Sequence, residues 1–144
     1  MNIAPVSNQH KTTLFNIHET CFSHHIEEIW GWDDMWQWDY FCKEWDQSKW
    51  RLLLENDQVI GYLCWTLEPD HLYLKNISLI PEYQNKGLGK LAMKFIHDLA
   101  TKNNLPIKLS VFRSNKRVQK FYENLGFKIS KVLETGVRMT KPHE

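Results

Sequence analysis

The sequence predicts a single α/β domain of the α+β kind, spanning residues 1–144. Two observations favour this fold class. The 42% hydrophobic and 24% charged content is typical of one folded globular domain of this length. The spacing of apolar residues also changes from helical to alternating and back, with no internal repeat, low-complexity tract or linker. We therefore expect helices packed on one sheet around one core.

Two helices precede the predicted sheet. Residues 12–30 carry apolar side chains at roughly helical spacing, and the stretch ends at Gly31. A second helix is predicted from Asp33 or Asp34 to about Glu44, because Asp34 and Gln37 have the spacing of a capping box.

Three strands are then predicted to form an antiparallel meander. The first two are joined by an Asn56-Asp57 turn and the last two by a turn at Glu68-Pro69-Asp70. The strands occupy residues 49–55, 58–68 and 71–80.

The second half of the chain predicts two more helices and three strands. An amphipathic helix follows the glycines near residue 88, with its apolar face at Leu88, Leu91, Ala92, Phe95, Ile96 and Leu99. A strand at 107–112 leads to a short helix that Ser114 can cap and that ends at Gly126. Residues 127–132 and 135–140 are expected to close the sheet as a hairpin.

The near-neutral net charge of +1 hides two segments of opposite sign. Residues 27–46 contain seven carboxylates and one lysine, whereas residues 84–120 contain nine basic side chains and one acid, Asp98. This separation indicates one cationic and one anionic ligand, or two solvated helix faces. A nucleic-acid partner is not favoured, since the overall charge is close to neutral and the chain has no recognised nucleic-acid-binding module.

The cysteines and the N-terminal segment indicate a reducing, cytoplasmic location. Three widely spaced cysteines support neither a disulfide framework nor a zinc site: Cys21, Cys42 and Cys64. The first thirty residues lack the pattern of a signal peptide, and no apolar run is long enough to cross a membrane. The adjacent His24 and His25 lack partners at ligand spacing, so no metal site is predicted.

The segment PEYQNKGLGK, residues 81–90, places two glycines between the end of a predicted strand and the start of the next helix. The first N–H groups of a helix have no intrahelical partners and carry partial positive charge, so they can hold a phosphate. Gly87 and Gly89 would let the phosphate approach the backbone, although an ordinary tight turn explains the same pattern. The segment matches neither the Walker A loop nor the G-x-G-x-x-G fingerprint.

With its surrounding elements, this segment resembles the GNAT superfamily of N-acetyltransferases. Gln84, Gly87 and Gly89 fit that family's acetyl-CoA motif, and SNKRVQKFYENLGF at 114–127 fits its later segment, with Val118 where alanine is frequent. The resemblance is specific from about residue 58 to 129. It implies a mixed, mostly antiparallel sheet of six to seven strands flanked by about four helices. A homodimer is common for this fold.

The resemblance also implies acetyl-CoA as the co-substrate. The CoA pyrophosphate would lie on backbone amides of residues 84–90: Gln84, Asn85, Lys86, Gly87, Leu88, Gly89 and Lys90. The backbone of Ile77 and Leu79 would pair with the pantetheine arm, and Asn115 would contact the same arm. Lys86, Lys90 and Arg117 could meet the 3′-phosphate. Gly89→Val is therefore expected to weaken cofactor binding more than folding.

The expected reaction is direct acetyl transfer to a primary amine in a ternary complex, because no cysteine lies in a motif for an acetyl-enzyme. The resemblance implies that Tyr122 protonates the departing thiolate and that the N–H of Leu79 stabilises the oxyanion. Helical spacing alone would place Tyr122 in the packing between Val118 and Leu125. The strand before the loop offers no carboxylate base, which leaves Glu28, Asp33, His24 and His25 as candidates.

The acceptor is expected to be a small cationic amine bound near the acid-rich stretch. Six of the seven tryptophans fall in residues 30–50 among the carboxylates, and aromatic faces with carboxylates attract cations. Glu28, Trp32, Asp33 and Trp36 are the candidate acceptor-binding residues, and most of the other rings are expected to fill the core. A non-catalytic acyl-CoA-binding domain and a tryptophan-based interaction module are the alternatives.

Overall fold

The computed structural model describes residues 1–143. Within these residues, four α-helices and seven strands follow one another. They are β1 (Asn2–Pro5), α1 (Lys11–Ile29), α2 (Asp34–Gln47), β2 (Lys49–Glu55), β3 (Gln58–Leu67), β4 (Leu72–Leu79), α3 (Leu88–Lys102), β5 (Ile107–Phe112), α4 (Lys116–Asn124), β6 (Lys128–Val132) and β7 (Gly136–Lys141).

The strands form one mixed sheet in the order β1-β2-β3-β4-β5-β7-β6. The meander β2-β3-β4 is antiparallel, and Asn56 and Asp57 both have positive φ in its first turn, as a tight hairpin requires. The neighbours β4 and β5 are parallel, because α3 carries the chain back across the sheet between them. The predicted fold class and the mostly antiparallel sheet are therefore confirmed.

Both faces of the sheet are covered, and each has its own apolar cluster. Successive strand residues point to opposite faces, so Leu53 and Leu63 belong to the cluster with α3 and α4, whereas Leu52 and Tyr62 belong to the cluster with α1 and α2. Burial on both faces explains the nearly uninterrupted apolar run of β3.

Two helix caps differ from the sequence expectation. Asp33 caps α2 by accepting a hydrogen bond from the Trp36 N–H at 3.0 Å, because it has the extended backbone of a cap residue. The predicted Asp34–Gln37 capping box is therefore wrong, and Gln37 is buried instead. Asn115 takes the cap of α4 in place of Ser114, through its bond from the Val118 N–H at 3.3 Å.

Other departures are small and have local causes. The short edge strand β1 was not predicted, since four residues are too few to show a period. α2 continues to Gln47, beyond the predicted end at Glu44. The buried face of α3 consists of Ala92, Met93, Ile96 and Ala100. Leu91 was predicted to lie on this apolar face, but it is half exposed.

Candidate active site

The candidate site lies where β4 and β5 separate. The two strands pair only from Leu72 to Leu74 on β4 and from Ile107 to Leu109 on β5. Lys75 is an extra residue on β4, because Cys64 of β3 pairs with Asn76 and the next residue, Trp65, pairs with Leu74. Such a bulge bends its strand. Beyond it the strands leave a cavity of about 310 Å³.

The backbone of β4 presents a free edge to this gap. Ile80 N–H donates to the Ile60 carbonyl at 2.8 Å, which makes Gly61 and Leu79 a pair without mutual hydrogen bonds. By the alternation of an antiparallel ladder, the N–H and carbonyl groups of Leu79 and Ile77 therefore face away from β3. The Leu79 carbonyl is taken by Gln84 Nε2 at 2.8 Å and by Cys21 Sγ at 3.3 Å.

The cavity walls come from both halves of the chain. Among the predicted site residues, Ile77, Asn115 and Tyr122 line it. The remaining walls come from α1, β4, the end of β5 and the segment before β7, including His18, Phe22, Ile26, Lys75, Ser110, Phe112, Leu133 and Thr135.

Tyr122 is a buried phenol in the wall of this cavity. Its side chain is 6% exposed, and its ring packs edge-on against Phe121 and Phe127, with centroids 5.1 and 5.4 Å away. Burial raises the pKa of Tyr122 above its ordinary value of 10. Its hydroxyl has no hydrogen-bond partner among residues 1–143, so at neutral pH it holds a proton that is available for donation.

The glycine segment begins α3 without help from a side chain. Asn85 and Gly87 both have positive φ, at 63° and 78°, and α3 starts at Leu88 with no side-chain cap. The first N–H groups of α3 are therefore open to an anion. Lys86 and Lys90 are exposed nearby, and Arg117 of α4 donates to the Asn85 side chain.

The two glycines of this segment have different roles. A Cβ at Gly87 would meet nothing within 4 Å, so only its positive φ requires glycine. A Cβ at Gly89 would instead lie 3.1 Å from the Phe121 ring. Gly89 thus makes room for α4. A side chain at this position would meet Phe121 rather than project towards the phosphates, so the reason for expecting Gly89→Val to act mainly on cofactor binding is wrong.

His18 was missed by the sequence reasoning. It lies on α1 within a group of rings, with Phe22 at 5.3 Å and Phe41 at 5.8 Å between centroids. Its Nε2 is 3.4 Å from Gln37 Oε1, and its Nδ1 is buried without a partner among the described residues. Burial lowers the pKa of His18, so the imidazole is neutral at pH 7.

The four predicted acceptor-binding residues lie outside the cavity walls. Asp33 caps α2, and Glu28 is 3.2 Å from His24 on the exposed side of α1. The Trp32 ring lies 6.0 Å from His18, which borders the cavity, whereas Trp36 is exposed.

Of the other proposed bases, His25 stacks on Phe112 with ring centroids 5.4 Å apart.

Phe112 and Lys75 are two further cavity residues without a clear signal in the sequence. Phe112 ends β5 and gathers the rings of Phe22, His25 and Trp30 from the end of α1. Lys75 forms an ion pair with Glu44 of α2. Because β4 also contains Asn76 and Ser78, a polar residue at position 75 did not mark the bulge.

Residues 1–143 contain neither a membrane-spanning helix nor a metal-binding cluster. Within residues 1–143, no helix combines the length and the apolar character that a bilayer crossing demands. In the same range, no three His, Cys, Asp or Glu side chains come close enough to hold a metal ion.

A parallel crossover, a split between its strands and an open helix start together leave an edge and a pocket that suit an extended, anionic ligand. The model of the Acetyltransferase (GNAT) family matches residues 11–127, and the chain belongs to that family. The predicted membership is confirmed.

Two curated relatives share sequence with this chain. It is 38% identical over 76 residues, 52% of its length, to the [Ribosomal protein bS18]-alanine N-acetyltransferase of Haemophilus influenzae. It is 30% identical over 97 residues, 64% of its length, to an uncharacterized N-acetyltransferase of Bacillus subtilis. The chain spans only 51% and 59% of the lengths of these two relatives.

Solved structures share the fold at low identity. The PaiA N-acetyltransferase from Thermoplasma acidophilum, in complex with coenzyme A, superimposes with a TM-score of 0.82 at 17% identity, covering 99% of this chain and 98% of that one. The ribosomal-protein-S18-alanine N-acetyltransferase from Escherichia coli gives 0.74 at 19% identity, covering 99% and 94%.

Proposed function

We propose that this protein is an N-acetyltransferase that moves an acetyl group from acetyl-CoA to a primary amine by direct attack in a ternary complex. The observation that carries the proposal is the free edge of β4, which faces a cavity that also holds a buried, unpartnered phenol. The family of the chain supports it.

The residues present fit acetyl-CoA. The outward-facing N–H and carbonyl of Ile77, together with the N–H of Leu79, offer the edge that the amides of the pantetheine arm need, while the Leu79 carbonyl is already bonded to Gln84 and Cys21. The open start of α3, across Gln84, Asn85, Lys86, Gly87, Leu88, Gly89 and Lys90, offers N–H groups and positive charge to phosphates. Asn115 lines the cavity from the start of α4. When bound there, acetyl-CoA would supply the activated acetyl group.

Two side chains of the cavity, Tyr122 and His18, would transfer protons. The Tyr122 hydroxyl would give its proton to the leaving sulfur. The backbone N–H of Leu79 would stabilise the acetyl oxygen. The attacking amine must also lose a proton. Of the ionisable side chains that line the cavity, His18, Lys75 and Tyr122, the imidazole of His18 is unprotonated at neutral pH, so it is our candidate acceptor.

Two classes of amine remain as acceptors within this proposal. The acid-rich, aromatic stretch at 27–46 favours a cation, as a small amine would be. The Haemophilus influenzae relative, which is named for the alanine of a ribosomal protein, favours the α-amino group of a polypeptide.

A non-catalytic acyl-CoA-binding domain is the second candidate function. It is favoured by the absence of any carboxylate on β4, where a general base would be close to the acetyl group. Both functions require acetyl-CoA to bind, so turnover separates them.

The test is acetyl-CoA binding by calorimetry, followed by release of free CoA thiol in the presence of amines of both classes. An enzyme should release CoA with at least one amine faster than without any. Binding without amine-dependent release across the panel would support the non-catalytic candidate, and no binding at all would contradict both.

A further inference from the structure

Arg138 of β7 is a half-buried arginine without a partner. Its neighbours Val137 and Met139 belong to the apolar cluster under α3 and α4, so Arg138 points to the opposite face of the sheet, on which α1 and α2 pack. Its Nε is buried and bonds to nothing in the part of the chain that the structure describes, and its guanidinium forms no ion pair there. A buried N–H without an acceptor costs free energy, so this side chain lacks one polar or anionic partner.

Arg138 lies beside the cavity. It pairs with Ser110 of β5, which lines the cavity wall. Ile107 and Leu109 lie in the apolar cluster under α3 and α4, so Ser110 points to the same face as Arg138. Tyr73 donates a hydrogen bond to the Ser110 oxygen at 3.1 Å, which leaves the Ser110 hydroxyl hydrogen free to donate. A guanidinium and a hydroxyl donor therefore stand side by side at the edge of the cavity.

Two lysines add positive charge around Arg138. Lys131 of β6 is directly opposite Arg138, and Lys108 of β5 is its diagonal neighbour, at the spacing of about 7–8 Å that such pairs have. Like charges that face each other across strands are destabilising. Neither lysine forms an ion pair within residues 1–143, and Asp70, whose charge acts on Lys108, is bonded to His71 at 2.6 Å. An anion held between the three cations would relieve their repulsion.

These cations are separate from the proposed phosphate site. The start of α3 packs with Leu88 on the other face of the sheet, in the same layer as α4. The phosphates of acetyl-CoA would lie there, whereas Ser110 and Arg138 point to the face of α1 and α2. An anion at Arg138 therefore belongs to a different molecule, and the molecule that shares the cavity with acetyl-CoA is the acceptor.

We propose that Arg138, with Ser110, Lys108 and Lys131, binds an oxyanion of the acceptor, a carboxylate or a phosphate, while the amine of the same molecule lies in the cavity. The inference rests on the proposed amine acetylation for the role of the amine, and on the unpaired cations for the anion. The planar guanidinium matches either oxyanion through two parallel hydrogen bonds. The acceptor is then a small amine that also carries a negative charge, a third class beside the two named above.

The first test compares amino acids that have one to six methylene groups between amine and carboxylate with their primary amides, which keep the length and remove the charge. One length should give a KM at least about tenfold below that of its amide, because a charge-assisted hydrogen bond contributes this factor or more. Aminoalkyl phosphates of the same lengths show which of the two oxyanions the site prefers.

Substitutions of Arg138 test the site itself. Arg138→Gln should raise KM for the best oxyanion substrate roughly tenfold and leave kcat within about twofold, since the guanidinium contributes binding and no chemistry. Its effect on the amide should be under about twofold. Arg138→Lys keeps the charge and loses the planar fork, so its KM should be intermediate. Lys102→Gln, exposed at the end of α3, removes the same charge elsewhere and should leave KM unchanged.

An NMR titration separates this inference from the proposed function. Propionate or inorganic phosphate alone should shift the Arg138 Nε–H signal saturably, and less so at high salt, even if the protein acetylates no amine. Arg113 is the internal control, because it is exposed and its guanidinium already donates to the Glu134 carbonyl at 3.1 Å. The Arg113 Nε–H signal should shift far less.

Four results would overturn the proposal. They are shifts that are equal at Arg138 and Arg113 or absent from both, the same KM for every oxyanion substrate and its uncharged counterpart, a KM unaltered by Arg138→Gln, and a lower acetyl-CoA affinity in Arg138→Gln. The last would assign the site to the cofactor. If no amine is acetylated, the titration alone decides.

Discussion

At the scale of a single residue, the burial of Tyr122 determines its protonation state. A phenol without a hydrogen-bond partner in an apolar wall keeps its proton, because burial penalises the phenolate. The same burial makes the hydroxyl structurally dispensable, since no bond is lost when it is removed. Packing and proton donation were competing interpretations of the sequence, and the structure shows that they are compatible.

Tyr122→Phe should therefore separate activity from stability. We expect kcat to fall by roughly a hundredfold, the usual contribution of a general acid, with acetyl-CoA affinity within about twofold. The free energy of unfolding should stay within about 1 kcal/mol of the wild type, because the hydroxyl has no partner to lose. Steady-state kinetics and urea denaturation give the two quantities. Unchanged kcat would remove Tyr122 from the reaction.

His18 should make stability depend on pH. Since burial lowers the pKa of His18 in the folded state, the unfolded chain binds that proton more readily below about pH 6.5. The free energy of unfolding should therefore fall as the pH decreases from about 6.5 towards the lowered pKa. His18→Gln should reduce this loss, whereas the exposed His24→Gln should retain it.

The same two variants test proton acceptance. If His18 takes the proton of the amine, His18→Gln should lower kcat/KM and change its acidic limb, and His24→Gln should do neither. Denaturation midpoints measured between pH 5 and 8 distinguish the effect of His18 on stability from its effect on kcat/KM. An identical pH profile in His18→Gln would exclude the imidazole as the proton acceptor.

At the scale of elements, the bulge at Lys75 and the close approach at Gly61 shape β4. A Cβ at Gly61 would overlap the carbonyl oxygen of Ser78, so β3 and β4 approach more closely there than any side chain permits. This close contact fixes β4 on its β3 side, while its other edge is left to the gap.

Gly61→Ala should destabilise the fold by about 1–3 kcal/mol, because the two strands must move apart to admit the methyl group. Val132→Ala on the outermost strand, where the side chain is 63% exposed, should change the free energy of unfolding by under about 0.5 kcal/mol. Guanidinium denaturation compares them. Equal midpoints for Gly61→Ala and the wild type would contradict the close approach.

Gly89 should be coupled energetically to Phe121. Gly89→Ala puts a methyl group 3.1 Å from the Phe121 ring, so we expect a loss of about 1–2 kcal/mol. Adding Phe121→Leu should cost less in the Gly89→Ala background than in the wild type, because the smaller side chain relieves the contact. Strict additivity of the two substitutions would argue against this packing.

The sequence predicts elements better than it predicts contacts. Helical and alternating periods located every helix and all strands but β1, because each reports which side of an element is buried. The caps at Asp33 and Asn115 were displaced by one residue from the prediction, since several adjacent polar residues fit a cap equally well. His18 and Phe112 were missed because their role depends on rings brought together from distant segments.

At the scale of the whole molecule, one sheet carries a packed helical layer on each face, and both layers contribute to the cavity. α3 and α4 bury the larger apolar cluster on one face. On the other face, α1 and α2 cover β2 to β4 and carry the acid-rich stretch, while the base-rich stretch follows the gap into α3 and α4. The charge separation read from the sequence thus corresponds to two helical layers, with the carboxylates on α1 and α2 and many of the bases on α3 and α4.

The crystal structure of the protein with acetyl-CoA is the most direct test of this account. It should show the diphosphate on the N–H groups at the start of α3, the pantetheine amides paired with the free edge of Ile77 and Leu79, and the Tyr122 hydroxyl within hydrogen-bond reach of the sulfur. Acetyl-CoA bound elsewhere, or β4 and β5 paired along their full length beside it, would contradict the central claim.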